Sequence, residues 1–243
     1  MKKISPLLLA LAVCLWAADF WQTKPYTEWN DKDLQKIETN SPWSKQVPVA
    51  LGGGGGGPDT GRSKRGGSGS GGDLDSGPGG GGGGGRGAGQ GGGGGGIPDA
   101  GASLNITVSW RTALPVREAL AKEKFGAEAA TSADAKKLVE EEQKFYGILV
   151  SGLPGRALRA NEGIKAALLE NTTLSVKGKD PIHPTDLQTG GNEQKPVVFF
   201  MFPKTAPISV DDKDVEFTTR LGAILVRQKF HLKDMVFNGK LDL

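Results

Sequence analysis

The chain of 243 residues contains only two histidines. These histidines and the carboxylates near them are the residues whose chemistry would support catalysis. His183 lies between Asp180 and Asp186, and neighbouring carboxylates of this kind serve as acid and base in hydrolases. His231 lies in an alternating run of apolar and polar residues. The pair lacks the spacing of a zinc site, which usually has three protein ligands when it is catalytic, so we expect no metal and no cofactor. No G-x-S-x-G elbow occurs in the segments expected to fold.

A basic face is the second candidate for function. Four side chains share the outward side of the alternating run of residues 224–233, namely Arg227, Lys229, His231 and Lys233. Such a face would contact an anionic polymer or lipid headgroups. The alternative is a solvated strand whose basic residues maintain solubility and discourage edge pairing. Glu216 interrupts the positive field, which favours this alternative.

Aromatic residues are the third candidate, because Tyr26, Trp29 and Trp43 make the N-terminal segment unusually aromatic. If the rings are exposed, they form a platform on which a sugar or a peptide would stack. The alternative is that they fill a groove on the main domain, as large aromatic side chains usually do. We expect the rings to be covered.

Residues 1–18 predict an export signal, with a lysine pair before an apolar run and a small-residue exit at Ala17-Ala18. The apolar run is short for a membrane span, so we expect no transmembrane span in the mature chain. A lipoprotein anchored at Cys14 is the alternative, although Val13 is larger than the usual residue before that cysteine. We therefore expect a periplasmic or extracellular protein.

Residues 52–100 predict a disordered Gly-rich loop, since residues 52–96 contain 28 of the 39 glycines. Such a segment has little to bury, and glycine loses the most entropy on ordering. The formal net charge of +3 lacks the clustered excess of a nucleic-acid binder, so we do not expect nucleic acid as a partner.

The C-terminal residues predict an antiparallel β-meander. Apolar and polar residues alternate in residues 215–221 and again in residues 224–232, which places one face of each strand in a core. Asn238-Gly239 predicts a two-residue type I′ hairpin, because both positions tolerate positive φ.

Two segments upstream differ from this pattern. Residues 197–202 are apolar throughout and predict a central strand covered on both faces. Residues 179–194 contain prolines and a glycine pair, and they predict a long loop.

Short helices are predicted after capping residues or a first-turn proline, at about Asp31, Leu114, Ser132 and Asn161.

The strands on either side of the glycine-rich segment are predicted to share one sheet. Residues 47–51 and 104–110 each have strand character, and closure entropy grows only slowly with loop length. A short N-terminal piece would not fold alone. We predict an α+β fold, mostly antiparallel sheet with two or three short helices, in which a helix and edge strand of residues 19–51 pack on a main domain of residues 101–243.

Two blocks of sequence resemble a group of uncharacterised exported bacterial proteins. One is KPYTEW at Lys24 to Trp29 followed by NSPW at Asn40 to Trp43, and the other runs from Val215 to Leu241 and includes LKDMVFNGKL. The resemblance implies export and one composite domain. It carries no assigned activity, so no site residue follows from it.

These features predict an exported, non-catalytic interaction module or a module associated with the cell envelope. Its partner would be an envelope component or another protein. Two alternatives stay open. One is an exported carboxylate-dependent hydrolase around Asp180, His183 and Asp186, and the other is a module that binds an anionic polymer or lipid through the basic face.

Overall fold

The structure is a computed structural model, and it describes residues 19–50, 103–158, 162–192 and 194–243. Three predictions lie outside the described residues: the export signal of residues 1–18, the disordered Gly-rich loop of residues 52–100 and the Asn161 cap. Within the described part, the fold is α+β and every strand pair is antiparallel, which confirms the predicted fold class.

The described residues contain five α-helices. They are α1 (Phe20–Thr23), α2 (Asp31–Thr39), α3 (Leu114–Phe125), α4 (Ala133–Glu140) and α5 (Glu162–Glu170). The start of α2 follows from its cap. Asn30 Oδ1 accepts hydrogen bonds from the backbone N–H groups of Lys32 and Asp33, at 3.0 and 3.1 Å. The Asp33 carboxylate accepts from the Asn30 N–H in return, which completes a capping box.

The strands in chain order are β1 (Asn40–Ser41), β2 (Ser44–Ala50), β3 (Ser103–Trp110), β4 (Phe145–Ser151), β5 (Thr172–Val176), β6 (Asp186–Gly191), β7 (Pro196–Pro203), β8 (Asp214–Leu221), β9 (Ile224–His231), β10 (Val236–Phe237) and β11 (Lys240–Leu241). The larger sheet has the order β1-β2-β3-β4-β7-β6. A second sheet has the order β5-β8-β9, and β10 and β11 form a hairpin.

The core lies between the two sheets. Phe200 of β7 contacts Phe217 of β8 with ring centroids 5.8 Å apart, and Trp110 of β3 contacts Phe230 of β9 at the same distance. All four rings are buried. The alternation predicted for β8 and β9 is present, because their apolar positions face this core. Asn238 and Gly239 have φ values of 49° and 75°, as the predicted hairpin requires.

The N-terminal segment joins the larger sheet. Strands β2 and β3 pair along their length with Val47 opposite Ile106, as predicted, although the segment between them lies outside the described residues. Pro48 occupies a strand position where its missing N–H is tolerated, because β1 pairs only with the first two residues of β2.

The prediction of a long loop over residues 179–194 was wrong in its second half. Asp186–Gly191 forms β6 and pairs with β7 from Gly191 opposite Pro196 to Asp186 opposite Met201. Glycine and aspartate have low strand propensity, so local pattern favoured a loop. The free edge of β7 overrides this propensity, since its backbone groups need partners.

The prediction that β7 is covered on both faces was also wrong. Its residues alternate between buried and half-buried, with Val198, Phe200 and Phe202 in the core. Phe199 and Met201 lie on the outer face of the larger sheet and keep part of their surface in solvent. An apolar run therefore did not require a second covering layer.

Candidate functional site

A cleft of about 640 Å³ lies where α3, the end of α4, the start of β4 and the segment after β7 meet the C-terminal residues. Its lining combines both signs of charge with a phenol hydroxyl. The residues that give this character are Arg117, Glu140, Glu142, Tyr146, Lys204 and Asp242. We call it the mixed-charge cleft.

Asp242 holds the start of α3. Its Oδ1 accepts a hydrogen bond of 2.6 Å from the backbone N–H of Leu114, the first residue of that helix. Ala113, at the N-cap position, has no side-chain acceptor, so a carboxylate from the far end of the chain provides one. The Asp242 carbonyl accepts a second bond, 2.9 Å, from Trp43 Nε1. Asp242 therefore joins three separate parts of the fold.

Arg117 holds the end of α4. Its Nη1 donates to the carbonyl oxygens of Val139 at 2.6 Å and Glu141 at 2.9 Å, with a longer bond to Leu138. Its Nε donates to the Thr112 carbonyl at 2.9 Å. These bonds satisfy carbonyls that a helix end leaves without internal partners. Burial lowers the pKa of Arg117, and neighbouring carboxylates oppose that change.

Glu118 follows Arg117 in α3, near the Asp242 carboxylate. Burial is the main cause that raises the pKa of Glu118, and the negative charge of Asp242 adds to it, so that the pKa reaches about 7. Arg117 acts in the opposite direction. Glu118 is therefore partly protonated near neutral pH, which limits its repulsion of Asp242. It is not among the residues that line the mixed-charge cleft.

Tyr146 and Lys204 also line the cleft, and unlike Asp242 and Arg117 they are not charged groups bonded to a helix end. Tyr146 is only 5% exposed, and its hydroxyl accepts a 3.0 Å bond from the Ile208 N–H. The Lys204 ammonium lies 5.0 Å from the centroid of the Tyr146 ring. Lys204 is an exposed residue whose partial burial in the cleft lowers its pKa, while Asp242 opposes and Arg117 assists that change.

The aromatic residues predicted as a stacking platform lie elsewhere, and two of them are closed to solvent. Trp29 and Trp43 are 2% and 0% exposed. Trp43 packs edge-to-face against Phe237, with ring centroids 6.1 Å apart. Tyr26 is half-buried and donates its hydroxyl to the Ala129 carbonyl at 3.1 Å. We therefore assign these rings to the hydrophobic core and its edge, because a covered ring cannot stack on a ligand.

The basic face is present on the outer side of β9, but acidic residues of β8 lie beside it. Arg227 Nε is 3.4 Å from a Glu216 oxygen, and His231 Nδ1 is 2.5 Å from Asp214 Oδ1. The strand register places Lys229 opposite Glu216. Lys233 is exposed in the turn after β9. The field is therefore mixed, as expected for a solvated strand face.

Among the described residues, no hydrogen bond or ion pair joins the candidate hydrolase residues Asp180, His183 and Asp186 to one another. Asp186 is paired with Lys165 at 2.8 Å, and this hydrogen bond lowers the pKa of Asp186. Asp180 and His183 are exposed. Across the described ranges, no three or more histidine, cysteine or acidic side chains are grouped so that they could hold a metal ion.

The comparisons with known proteins give no family. No family model, no curated protein and no solved structure matches the chain. In the part of the chain that the structure describes, no helix has both the length and the apolar character to cross a bilayer.

No pattern in the sequence indicated the mixed-charge cleft. Arg117, Tyr146, Lys204 and Asp242 belong to four distant segments, and each is unremarkable in its own segment. One signal was present. Ala113 is a poor N-cap in front of a helix with proline in its first turn, so the helix start needed an acceptor from elsewhere in the chain.

Proposed function

We propose that the protein is an exported, non-catalytic interaction module that acts at the cell envelope and binds its ligand in the mixed-charge cleft. Export is inferred from the N-terminal sequence, from the lysine pair to Ala17-Ala18. Envelope association is inferred from that export and from the resemblance described above. The cleft supports the binding part of the proposal, because it is a concave surface lined by polar groups of both signs.

The observation that carries the proposal is that Asp242 and Arg117, two of the charged side chains of the cleft, form structural hydrogen bonds to helix ends. Asp242 Oδ1 is bonded to the first N–H of α3, and Arg117 donates to the last carbonyls of α4. A general acid or base must exchange a proton with a substrate within hydrogen-bond reach. Groups fixed in helix caps are poorly placed for that exchange, whereas a rigid cleft suits binding.

The test is a comparison of turnover with binding. The full chain would be incubated with a panel of glycans and peptides, and product formation would be followed by mass spectrometry. We expect no turnover, and ligand-observed NMR should detect a binder whose signals respond to cleft substitutions. Turnover abolished by Asp186→Asn would favour the hydrolase alternative and would overturn the proposal.

The location is tested separately. The full chain with a C-terminal epitope would be expressed in a bacterium, and the cells would be fractionated. We expect the epitope in the periplasmic, envelope or medium fraction, with loss of mass at the N-terminus. Recovery of the uncut chain in the cytoplasm would contradict export while leaving the binding part intact.

A further inference from the structure

We propose that the mixed-charge cleft binds the terminal carboxylate of a zwitterionic ligand, either a free amino acid or the C-terminal residue of a peptide, with a basic side chain directed at its acidic rim. This inference rests on the proposed function, since it names the ligand class of the same cleft.

The first support is a set of hydrogen-bond donors that lack acceptors. Tyr146 accepts a bond from the Ile208 N–H, but within the described residues its own O–H has no acceptor. Arg117 uses Nε and Nη1 for backbone carbonyls, and its Nη2 donates to no described group. Lys204 contacts the Tyr146 ring but forms no ion pair in the described part of the chain. These three donors converge on the lining of one cleft.

The second support is electrostatic. Burial is the main cause that lowers the pKa of Lys204; the Asp242 carboxylate opposes that change more strongly than the positive charge of Arg117 assists it. A ligand carboxylate beside Arg117 and Lys204 would accept charge-assisted hydrogen bonds from the donors that these side chains leave unused. One of its oxygens would also accept a hydrogen bond from the hydroxyl of Tyr146, a residue that is only 5% exposed and whose O–H is costly to leave without an acceptor.

The third support concerns selectivity. Glu140, Glu141 and Glu142 line the cleft as an acidic rim, and their side chains are exposed without ion pairs to described residues. This rim would repel a simple anion such as a dicarboxylate or inorganic phosphate. A ligand that has an ammonium group beside its carboxylate is complementary to both sides. The volume of about 640 Å³ is of the size that small-molecule sites have.

The experiment uses isothermal titration and NMR of the full chain with four probes: lysine, Gly-Gly-Lys with a free carboxylate, the same peptide with a C-terminal amide, and Gly-Gly-Ala. We expect the free carboxylate of Gly-Gly-Lys to give about tenfold or tighter binding than the amide. Lysine alone should bind as tightly as the peptide if the ligand is a free amino acid, and more weakly if it is a peptide terminus. Gly-Gly-Ala should bind more weakly than Gly-Gly-Lys.

The variant that tests the donors is Lys204→Met, because Lys204 is exposed and its loss leaves the backbone contacts intact. It should weaken Gly-Gly-Lys about tenfold and should remove the preference over the amide, while Lys204→Arg restores both. Lys195→Met, in the turn between β6 and β7, is the matched control and should change neither. Arg117 is left unchanged, since it holds α4.

The outcomes separate the two proposals. Equal binding of acid and amide in the cleft would overturn the carboxylate inference and keep the binding module. No binding of any of the four probes would also overturn it. The binding module itself fails only if the wider panel of glycans and peptides gives no cleft-dependent response either.

Discussion

Replacement of Glu118 by glutamine should make the protein more stable at alkaline pH and leave its stability unchanged at acidic pH. The reason is the environment of the carboxyl group. Its pKa is raised from the ordinary value of 4.5 to about 7, first by burial and second by the Asp242 carboxylate at the start of the same helix. The folded protein therefore binds the Glu118 proton more tightly than the unfolded chain does.

The sign follows from proton linkage. Between pH 4.5 and about 7 the folded state holds the proton while the unfolded state has released it. The free energy of unfolding consequently decreases as the pH rises through this window, and the decrease is complete above the folded pKa. Glutamine stays neutral throughout, so Glu118→Gln removes this contribution.

The magnitude has an upper limit. The interval between 4.5 and about 7 corresponds, at about 1.36 kcal/mol per pH unit, to about 3.4 kcal/mol. Glu118 retains partial contact with solvent, which screens the interaction, so we expect about 1–2 kcal/mol. The variant should exceed the wild type by this amount at about pH 8 and should equal it at about pH 4.

The assay is urea unfolding followed by tryptophan fluorescence across this pH range. Glu128→Gln is the control, because Glu128 is an exposed glutamate just after α3. Burial also raises the pKa of Glu38. Because Glu38 is present in the wild type and in both variants, its contribution to the pH dependence cancels when their free energies of unfolding are subtracted. If Glu118→Gln and the wild type gave parallel curves over the whole pH range, Glu118 would be ionised in the fold and the reasoning would be refuted.

Three further substitutions test how the fold is held. Arg117→Leu should lower the free energy of unfolding by about 2–4 kcal/mol, because the carbonyls at the end of α4 lose their donor. The control is Arg220→Leu, on an exposed strand face, and both variants would be measured by urea unfolding. A loss of stability in Arg117→Leu no larger than that in Arg220→Leu would contradict this role of Arg117. Gly152→Ala should lower the free energy of unfolding by about 3 kcal/mol, since the added Cβ would collide with a backbone carbonyl. Gly178→Ala, also at positive φ but in open space, should lower it by only about 1 kcal/mol. Equal melting temperatures of the two variants would show that the collision is relieved. Asn30→Ala should cost about 1 kcal/mol by thermal unfolding through loss of the capping box, and an unchanged melting temperature would contradict that role.

The sequence predicted those parts of the fold whose cause is local. The start of α2 at about Asp31, the helix Leu114–Phe125 and the Asn238-Gly239 hairpin each depend on backbone preferences of neighbouring residues. The faces of β8 and β9 depend on alternation alone, which has the same period as the strand. Such features survive in the folded protein because the tertiary contacts agree with them.

The sequence could not predict β6, because that strand is formed against its own composition. Asp186–Gly191 carries two glycines and an aspartate, and its pairing depends on the exposed backbone groups of β7. The half-buried outer face of β7 could not be predicted either. An apolar run shows that a strand tolerates burial, but whether a second layer covers it depends on where the helices lie.

The mixed-charge cleft escaped prediction for a different reason, which also bears on its use. The bond from Asp242 to Leu114 spans 128 positions, and no local pattern links a carboxylate near one end of the chain to a helix that starts so far away. Because Asp242 and Arg117 are committed to helix ends, stability constrains them whatever the cleft binds. Lys204 lacks such a constraint, since it is exposed and its described contact is with the Tyr146 ring. Ligand affinity can therefore change at Lys204 without loss of the fold, whereas changes at Arg117 would alter both together.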